Sequence, residues 1–366
     1  MKILFVYQFC SLGGCETVLR NRLLGFRARG IRPRVVLLKD VGGRRLFADF
    51  DEVTCPCGPD ELARIIAQGS FDCVAALDTP QVYPALEEAG FTGAVVTEVH
   101  TNRLVNMQYV RDLASTPTRM VITPSRFEAD LIEREFPNVT ASGVPIRVVP
   151  NPVDTRLFLP SPPSASPPQP WVGWVGRLER EKNWQHFLDV AGALTRVRPD
   201  VGFLLVGGGL VADDVKREFL ARVKGHGLID RIRWVSALGY EAMSRFYALL
   251  AASGGCLLAT SLAEPFGMSV VEAMASGCPV AAARAGAFRE LIRDGRTGLS
   301  FTPDDTSSAT TAVLQLLENE ELRARIVASG LDMVSATFTP ERVVDRYLAT
   351  ISEAVGVPAA AGVEAG

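Results

Sequence analysis

Short apolar runs alternate along the chain with longer stretches that carry apolar residues at helical spacing. In the first half, the apolar runs predict strands at residues 3–7, 34–38, 73–77, 94–99, 120–122 and 146–149. In the second half, they predict strands at residues 171–175, 202–206, 232–235, 256–259 and 279–282. Continuous apolar strands separated by helices are typical of parallel sheets that are covered on both faces. The pattern therefore predicts an α/β fold with two doubly wound domains.

Helical periodicity fills the segments between the strands. The sequence predicts helices at residues 16–29, 126–136, 184–196, 213–225, 240–251, 269–276, 288–292 and 340–354. Thr339 before Pro340 is a strong start signal, because threonine caps a helix and proline fits its first turn. Ser125-x-x-Glu128 and Ser269-x-x-Glu272 each have the spacing of a capping box.

A segment rich in proline and serine separates the two halves. Residues 160–170 hold too few apolar side chains for a core and predict an extended linker. We expect an N-terminal Rossmann-like domain at residues 1–160, a linker at 161–170 and a C-terminal Rossmann-like domain at 171–338. A terminal helix at 339–354 would follow, and the Ala- and Gly-rich residues 355–366 would be disordered.

Bulk composition narrows the class of protein. At 366 residues the chain has room for two hydrophobic cores, and its net charge is only −3. No apolar run approaches the length that crosses a bilayer, so we expect a cytoplasmic protein. Seven cysteines without an export signal favour reduced thiols. Cys55-Pro56-Cys57 is too tight for a zinc-binding pair, and we expect no metal.

The first 45 residues are strongly basic. From Lys2 to Arg45 the chain has ten Lys and Arg residues and only two acidic residues, Glu16 and Asp40. Some of the arginines alternate with leucines. Part of this segment is therefore a basic amphipathic helix. Its charges could form a solvated helix face, or they could attract anionic lipid headgroups or an anionic acceptor. We expect weak peripheral membrane contact at most, and no nucleic-acid partner.

The stretch from Glu264 to Glu272, Glu-Pro-Phe-Gly-Met-Ser-Val-Val-Glu, carries the clearest candidate chemistry. Its two carboxylates flank Gly267 and a predicted helix start. Unpaired N–H groups at a helix start, with a glycine that lets a ligand approach, favour an oxygen-rich ligand. Carboxylates on either side suit a ligand with hydroxyls at its ends and phosphate in its middle, such as a nucleotide-sugar. The alternative for Glu272 is a capping role in the helix.

Several segments in the right order resemble glycosyltransferase family 4, whose members are retaining, nucleotide-sugar-dependent enzymes with the GT-B fold. Glu264 and Glu272 match the family's Glu-x7-Glu signature, and residues 176–183, Gly-Arg-Leu-Glu-Arg-Glu-Lys-Asn, resemble its Gly-Arg-Leu…Glu-Lys-Asn segment. Residues 149–154 resemble the segment before its linker, with Pro152 where the family has glycine. The resemblance covers about residues 1–350. It implies two Rossmann-like domains that face a cleft, and a C-terminal helix that crosses back onto the first domain.

The resemblance also implies roles for individual residues. Arg177 and Lys182 would contact the donor diphosphate in place of a metal ion. Glu264 would position the donor sugar, and Glu272 would accept hydrogen bonds from the ribose hydroxyls. His100 would contact the donor sugar, although Thr101 stands where the family often has aspartate. The backbone would approach the donor at Gly13, Gly14, Phe266, Gly267 and Met268. Independently of the resemblance, Gly207 directly follows a predicted strand and could line the nucleotide pocket.

These observations predict a metal-independent hexosyltransferase. It would move a sugar from a UDP- or GDP-sugar, with retained configuration, to a hydroxyl of a small-molecule, saccharide or glycolipid acceptor, and it would need no cofactor. A nucleotide-sugar epimerase or a sugar phosphorylase could share the layout, and a non-catalytic nucleotide-sugar sensor could share the donor site. An NAD-dependent oxidoreductase is disfavoured because residues 207–209, Gly-Gly-Gly, lack the dinucleotide-binding spacing.

Overall fold

The computed structural model describes residues 1–160, 169–208 and 211–357. The chain divides into two compact units. Unit 1 comprises Met1–Asp154 and the chain from Thr337 onward, and unit 2 comprises Thr155–Ala336. Most of the predicted linker, residues 161–168, lies outside the described residues, and so do residues 358–366 of the predicted disordered tail.

Unit 1 is built on a parallel sheet of seven strands in the order β3-β2-β1-β4-β5-β6-β7. The strands are β1 Ile3–Cys10, β2 Arg34–Asp40, β3 Val53–Thr54, β4 Cys73–Leu77, β5 Ala94–Glu98, β6 Thr118–Thr123 and β7 Ile146–Val148. The central strands are buried along almost their whole length, because helices cover both faces of the sheet.

The helices of unit 1 lie between its strands. They are α1 Gly14–Ala28, α2 Pro59–Gly69, α3 Val82–Glu88, α4 Arg126–Glu135 and α5 Pro137–Ala141, with 3₁₀ turns at Arg44–Phe47 and Gln108–Ser115. Ser125 caps α4 as predicted, since its hydroxyl accepts a hydrogen bond from the N–H of Glu128 at 3.1 Å. The carboxylate of Glu128 does not complete the capping box, because neither of its oxygens has a partner among the described residues.

The terminal helix of the chain belongs to unit 1. Helix α13, Pro340–Val355, begins where predicted: the Thr339 hydroxyl accepts from the N–H of Arg342, and Pro340 opens the first turn. It packs on α1, where a side chain at Gly25 would overlap the carbonyl of Pro340. The predicted return of the last helix to the first domain is thus confirmed.

Unit 2 repeats the architecture with six parallel strands in the order β10-β9-β8-β11-β12-β13. The strands are β8 Trp171–Val175, β9 Gly202–Val206, β10 Ile232–Val235, β11 Cys256–Ala259, β12 Val280–Ala283 and β13 Leu299–Phe301. The helices are α6 Trp184–Val197, α7 Asp213–Gly225, α8 Tyr240–Ala252, α9 Met268–Ala275, α10 Phe288–Leu291, α11 Thr306–Glu318 and α12 Glu320–Thr337. Two parallel, Rossmann-like sheets confirm the predicted fold class.

Strand order decides where a ligand can bind in each unit. In unit 2 the chain runs from β8 outward to β9 and β10, and then returns to the other side of β8 with β11. In unit 1 the same reversal lies between β1 and β4. Ligands of open α/β sheets bind at the carboxyl ends of the strands beside such a reversal. A ligand is therefore expected at the loops after β8 and β11 in unit 2, and at those after β1 and β4 in unit 1.

Candidate active site

The loops after β8 and β11 are tied together through Thr260, which directly follows β11. The indole N–H of Trp174, on β8, donates to the Thr260 hydroxyl oxygen at 2.9 Å. The same hydroxyl donates to the carbonyls of Lys182 at 3.0 Å and Asn183 at 2.9 Å. Trp174 and Thr260 are both buried. The loop that carries Lys182 is thereby held against the end of β11.

Lys182 and Glu264 form the central contact of the candidate site. The Lys182 ammonium donates to Glu264 Oε2 at 2.6 Å, and the two side chains are 25% and 11% exposed. A short bond between ionised groups, partly shielded from water, is stronger than a neutral one. Sequence reasoning assigned these residues to separate parts of one ligand, and the structure also pairs them with each other.

Arg177 lies on the same loop as Lys182 but in a different environment. Its side chain is 68% exposed, and it pairs with Glu179 at 3.2 Å. An exposed ion pair of this kind contributes about 0–1 kcal/mol, so the guanidinium can exchange Glu179 for another anion at little cost.

Gly207 is required by the packing of two loops. Its φ is +126°, and a side chain there would overlap the carbonyl of Gly176. The indole N–H of Trp234 donates to the Gly207 carbonyl at 2.7 Å. Gly176 in turn lies beside Lys182, whose Cγ would be 3.3 Å from a side chain at that glycine. Gly207, Gly176, Lys182 and Glu264 thus form a continuous series of contacts.

Helix α9 begins one residue earlier than predicted. Its N-cap is Gly267, with a φ of +105°, and no side chain caps the helix. A side chain at Gly267 would lie 2.8 Å from the ring of Phe288. The capping box suggested by Ser269 and Glu272 is therefore wrong. Phe266 and Met268 flank Gly267, so the three predicted backbone contacts sit at the start of this helix.

Glu272 is a buried carboxylic acid. Burial raises its pKa to about 8, and the Tyr247 hydroxyl, which donates to Oε2 at 3.0 Å, only partly opposes that rise. At neutral pH the group is mostly protonated. Glu264 and Glu272 therefore differ: one pairs with a lysine, and the other is buried beside a tyrosine.

The remaining predicted site residues lie in unit 1. Gly13 is the N-cap of α1, and a side chain there would lie 2.7 Å from the carboxylate of Glu16. That carboxylate accepts from the N–H of Ser11 at 2.6 Å and also contacts its hydroxyl. A side chain at Gly14 would meet no described atom within 4 Å. Gly13 is thus constrained by the loop itself, whereas Gly14 leaves open space.

His100 follows β5 and belongs to a buried charged network. Its Nε2 lies 3.0 Å from Glu98 Oε2, and its side chain is only 4% exposed. Arg22 donates to both oxygens of Glu98 at 2.7 Å, and the Tyr347 hydroxyl donates to Oε1 at 2.9 Å. Burial alone would raise the pKa of Glu98, but Arg22 and His100 outweigh it and hold the pKa at about 2.

Sequence reasoning missed a second group of buried acids beside His100. Asp78, which follows β4 with a φ of +41°, accepts from the N–H of His100 at 3.2 Å and from the Tyr109 hydroxyl at 2.8 Å. Burial, and to a lesser extent the charge of nearby Asp78, raises the pKa of Glu128 to about 9. The only sequence signal was that Asp78 and His100 directly follow the predicted strands at residues 73–77 and 94–99.

The arginines of the basic helix α1 and of its C-cap form ion pairs within unit 1. The four arginines between residues 20 and 29 each pair with a carboxylate: Arg20 with Asp154, Arg22 with Glu98, Arg27 with Glu52 and Arg29 with Asp345. The distances run from 2.6 to 3.0 Å. Membrane contact through this helix remains a prediction. Among the described residues, no helix combines the length and apolar content needed to span a bilayer.

The structure thus assembles the predicted residues in two groups. Unit 2 brings together Arg177, Lys182, Gly207, Glu264, Phe266, Gly267, Met268 and Glu272. Unit 1 carries Gly13, Gly14 and His100 at the carboxyl edge of its own sheet. Their roles toward a donor remain predictions.

Comparison with known proteins decides the family. Residues 161–332 match the family described as glycosyl transferases group 1. The lipopolysaccharide core biosynthesis mannosyltransferase LpsB of Rhizobium meliloti (strain 1021) is 30% identical over 272 residues, which cover 66% of this chain and 75% of that protein. The chain belongs to the glycosyl transferases group 1 family. The predicted glycosyltransferase class is confirmed, and its narrower placement in family 4 remains a prediction.

Other similar proteins agree with this membership. Alpha-D-kanosaminyltransferase of Streptomyces kanamyceticus is 29% identical over 189 residues, 52% of this chain and 47% of that protein. A sucrose synthase of Acidithiobacillus caldus is 31% identical over 195 residues, but the match covers 50% of this chain and only 24% of the synthase. The solved structure of Anabaena Alr3699/HepE with UDP and glucose has a TM-score of 0.80 at 22% identity, covering 96% of this chain and 100% of that one. This likeness shows a shared fold.

Proposed function

We propose that this group 1 glycosyltransferase takes a sugar from a nucleoside diphosphate sugar and attaches it, with retained configuration, to an acceptor hydroxyl. The acceptor would be a small molecule, a saccharide or a glycolipid, and the reaction would use neither a metal ion nor a cofactor. The observation that carries the proposal is the bond between Lys182 and Glu264 at the strand reversal of unit 2, beside the glycine-capped start of α9.

Lys182 would stabilise the leaving diphosphate. Negative charge develops on the bridging oxygen as the sugar leaves, and a fixed cation lowers the energy of that state. In the free protein Glu264 occupies the ammonium at 2.6 Å. A phosphate oxygen would compete for the same donor, and the exposed Arg177 would supply a second cation. The departing charge would thus be neutralised by side chains.

Glu264 would position the sugar. When a phosphate oxygen accepts the hydrogen bond from Lys182 instead, the Glu264 carboxylate can accept hydrogen bonds from sugar hydroxyls. The bond from the sugar C1 to the phosphate oxygen breaks, and the diphosphate keeps the electron pair. The acceptor oxygen bonds to C1 on the same face, and its proton passes to the leaving phosphate. No covalent bond to Glu264 is required.

Glu272 would bind the nucleoside. Tyr247 holds one of its oxygens, and the group lies on the first two turns of α9, beyond Gly267. A buried carboxyl group with a fixed orientation is suited to accept from adjacent ribose hydroxyls. The solved Anabaena Alr3699/HepE structure in complex with UDP-glucose supports a nucleotide-sugar donor, and the mannosyltransferase LpsB supports sugar transfer. UDP- and GDP-sugars are the donors to test first.

A donor panel tests the proposal. We would incubate the purified chain with UDP-, GDP-, ADP- and TDP-sugars, without acceptor, and measure nucleotide release by chromatography. Slow release from one donor is expected, because water replaces the missing acceptor. Lys182→Met should lower that rate by about 10²–10³-fold. Lys224→Met, an exposed lysine at the end of α7, should not change it.

Other outcomes would contradict the proposal in different ways. Interconversion of the donor sugar without nucleotide release would indicate an epimerase. Thermal stabilisation by a donor, with no release under any condition, would indicate a sensor. If no donor causes either nucleotide release or thermal stabilisation, a function with nucleotide-sugars is excluded.

A further inference from the structure

Two cysteines and an aspartate converge at the edge of unit 1. Cys10 is the last residue of β1, and Asp40 is the last residue of β2, directly opposite it in the sheet register. Cys55 follows β3, the next strand outward. The two sulfur atoms and a carboxylate oxygen all lie within 4.8 Å of one another. Three separate segments thus deliver three potential metal ligands to one point.

The backbone around this point is firmly held. The N–H groups of Val41 and Gly43 both donate to the carbonyl of Cys10 at 2.9 Å. A side chain at Gly43 would overlap the backbone of Ser11, so the loop after β2 crosses closely over the end of β1. The N–H of Gly42 donates to Asp40 Oδ1 at 2.9 Å, which orients the carboxylate. The positions of the ligands are therefore set by the fold.

A cavity opens beside the two sulfur atoms. Its volume is about 210 Å³, and Cys10 and Cys55 line it together with Phe47, Phe50 and Arg44. A single water molecule occupies about 30 Å³ in the liquid, so the cavity has room for a cation with coordinated water.

We propose that Cys10, Cys55 and Asp40 bind a zinc-like divalent cation, with water as the fourth ligand. Thiolate sulfur and carboxylate oxygen are both zinc ligands, and thiolates disfavour the harder Mg²⁺ and Ca²⁺. Each thiol would release its proton to solvent as its sulfur binds. The three anionic ligands would leave one excess negative charge on the bound site. Arg44, whose Nε lies 3.8 Å from Asp40 Oδ2, would balance it.

The third nearby cysteine takes no part. The Cys57 thiol is directed to the carbonyl of Gly58 at 3.5 Å. The tight Cys55-Pro56-Cys57 spacing led to the prediction of no metal. In the structure, the thiol close to Cys55 and Asp40 is that of Cys10, which is distant in sequence, and Cys57 is not part of the group. The site concerns a cation in unit 1 and does not depend on the proposed transfer reaction.

The test is a zinc titration of the full chain. The protein would be reduced with a phosphine and freed of metal, and Zn²⁺ would be titrated against a chromophoric chelator. We expect one ion per chain. Cys55→Ser should weaken binding by more than about a hundredfold, since even residues behind the ligands contribute about 10–100-fold. Cys57→Ser is the matched control and should bind as the wild type does.

Asp40→Asn is the second variant, because Asp40 is exposed and its replacement leaves the core intact. It should weaken zinc binding by about tenfold or more, whereas Asp51→Asn, on a nearby exposed aspartate, should not. Cd²⁺ should give the ultraviolet charge-transfer band of thiolate ligation in the wild type and lose it in Cys55→Ser. Absence of zinc binding by the reduced wild type would overturn the proposal. It would also be overturned if Cys55→Ser and Asp40→Asn both bound zinc with the affinity of the wild type.

Discussion

The buried Glu272 makes the stability of unit 2 depend on pH, and Glu272→Gln should remove that dependence. The side chain is buried, and the Tyr247 hydroxyl donates to it at 3.0 Å. A glutamine oxygen can accept the same hydrogen bond. The substitution therefore keeps the packing and the bond but removes the ionisation.

The size and sign of the effect follow from the two pKa values. The folded pKa of about 8 lies above the ordinary value of 4.5, so the folded state holds the proton more tightly than the unfolded chain. Its contribution to stability is fully present below pH 4.5 and is lost as the pH rises through 8. At about 1.4 kcal/mol per pH unit, the wild type should lose up to about 5 kcal/mol relative to Glu272→Gln across this interval.

Tryptophan fluorescence can follow this change in unit 2 alone. All four tryptophans, at positions 171, 174, 184 and 234, lie in that unit. Urea unfolding of the wild type and Glu272→Gln, from pH 5 to pH 8.5, should show a difference in free energy of unfolding that grows with pH in favour of the variant. The exposed Glu241→Gln should run parallel to the wild type. A difference that stays constant with pH would refute the reasoning.

Three further substitutions test the packing inside each unit. Arg22→Met leaves Glu98 buried without its guanidinium and should destabilise unit 1 by about 3–5 kcal/mol in calorimetry; an unchanged transition would contradict the role of the pair. Gly25→Ala places a methyl on the Pro340 carbonyl and should accelerate hydrogen exchange in α13, costing about 1–3 kcal/mol; unchanged protection would argue against close docking. Gly207→Ala, at a φ of +126°, should lower the stability of unit 2 by about 1–3 kcal/mol in urea, and wild-type stability would mean that the loop can shift.

The sequence predicted the central strands because their signal is local. Buried parallel strands are continuous apolar runs, and those at Trp171–Val175, Gly202–Val206 and Cys256–Ala259 match the prediction residue for residue. The short edge strands Val53–Thr54 and Leu299–Phe301 were not predicted. Two or three residues carry no periodic pattern, and their pairing with a neighbouring strand is a long-range event.

The positions of the site residues along the chain could be predicted, but the contacts between them could not. Lys182 and Glu264 follow strands β8 and β11, and their segments could be recognised by their resemblance to segments of glycosyltransferase family 4. The bond between them spans 82 positions and depends on β11 returning to the side of β8, an order that local sequence does not encode. For the same reason, the pair Arg22 and Glu98, 76 positions apart, could not be predicted.

The most direct test of the proposed transfer is to compare nucleotide release and nucleotide binding in Glu264→Gln. With the donor found in the panel, the wild type should release its nucleotide slowly without acceptor. Glu264→Gln should bind the nucleoside diphosphate at least as tightly as the wild type, because the carboxylate no longer competes for Lys182. It should release nucleotide from the sugar donor about 10²-fold more slowly. Glu241→Gln should match the wild type in both assays. A folded Glu264→Gln that releases nucleotide at the full rate would contradict the account.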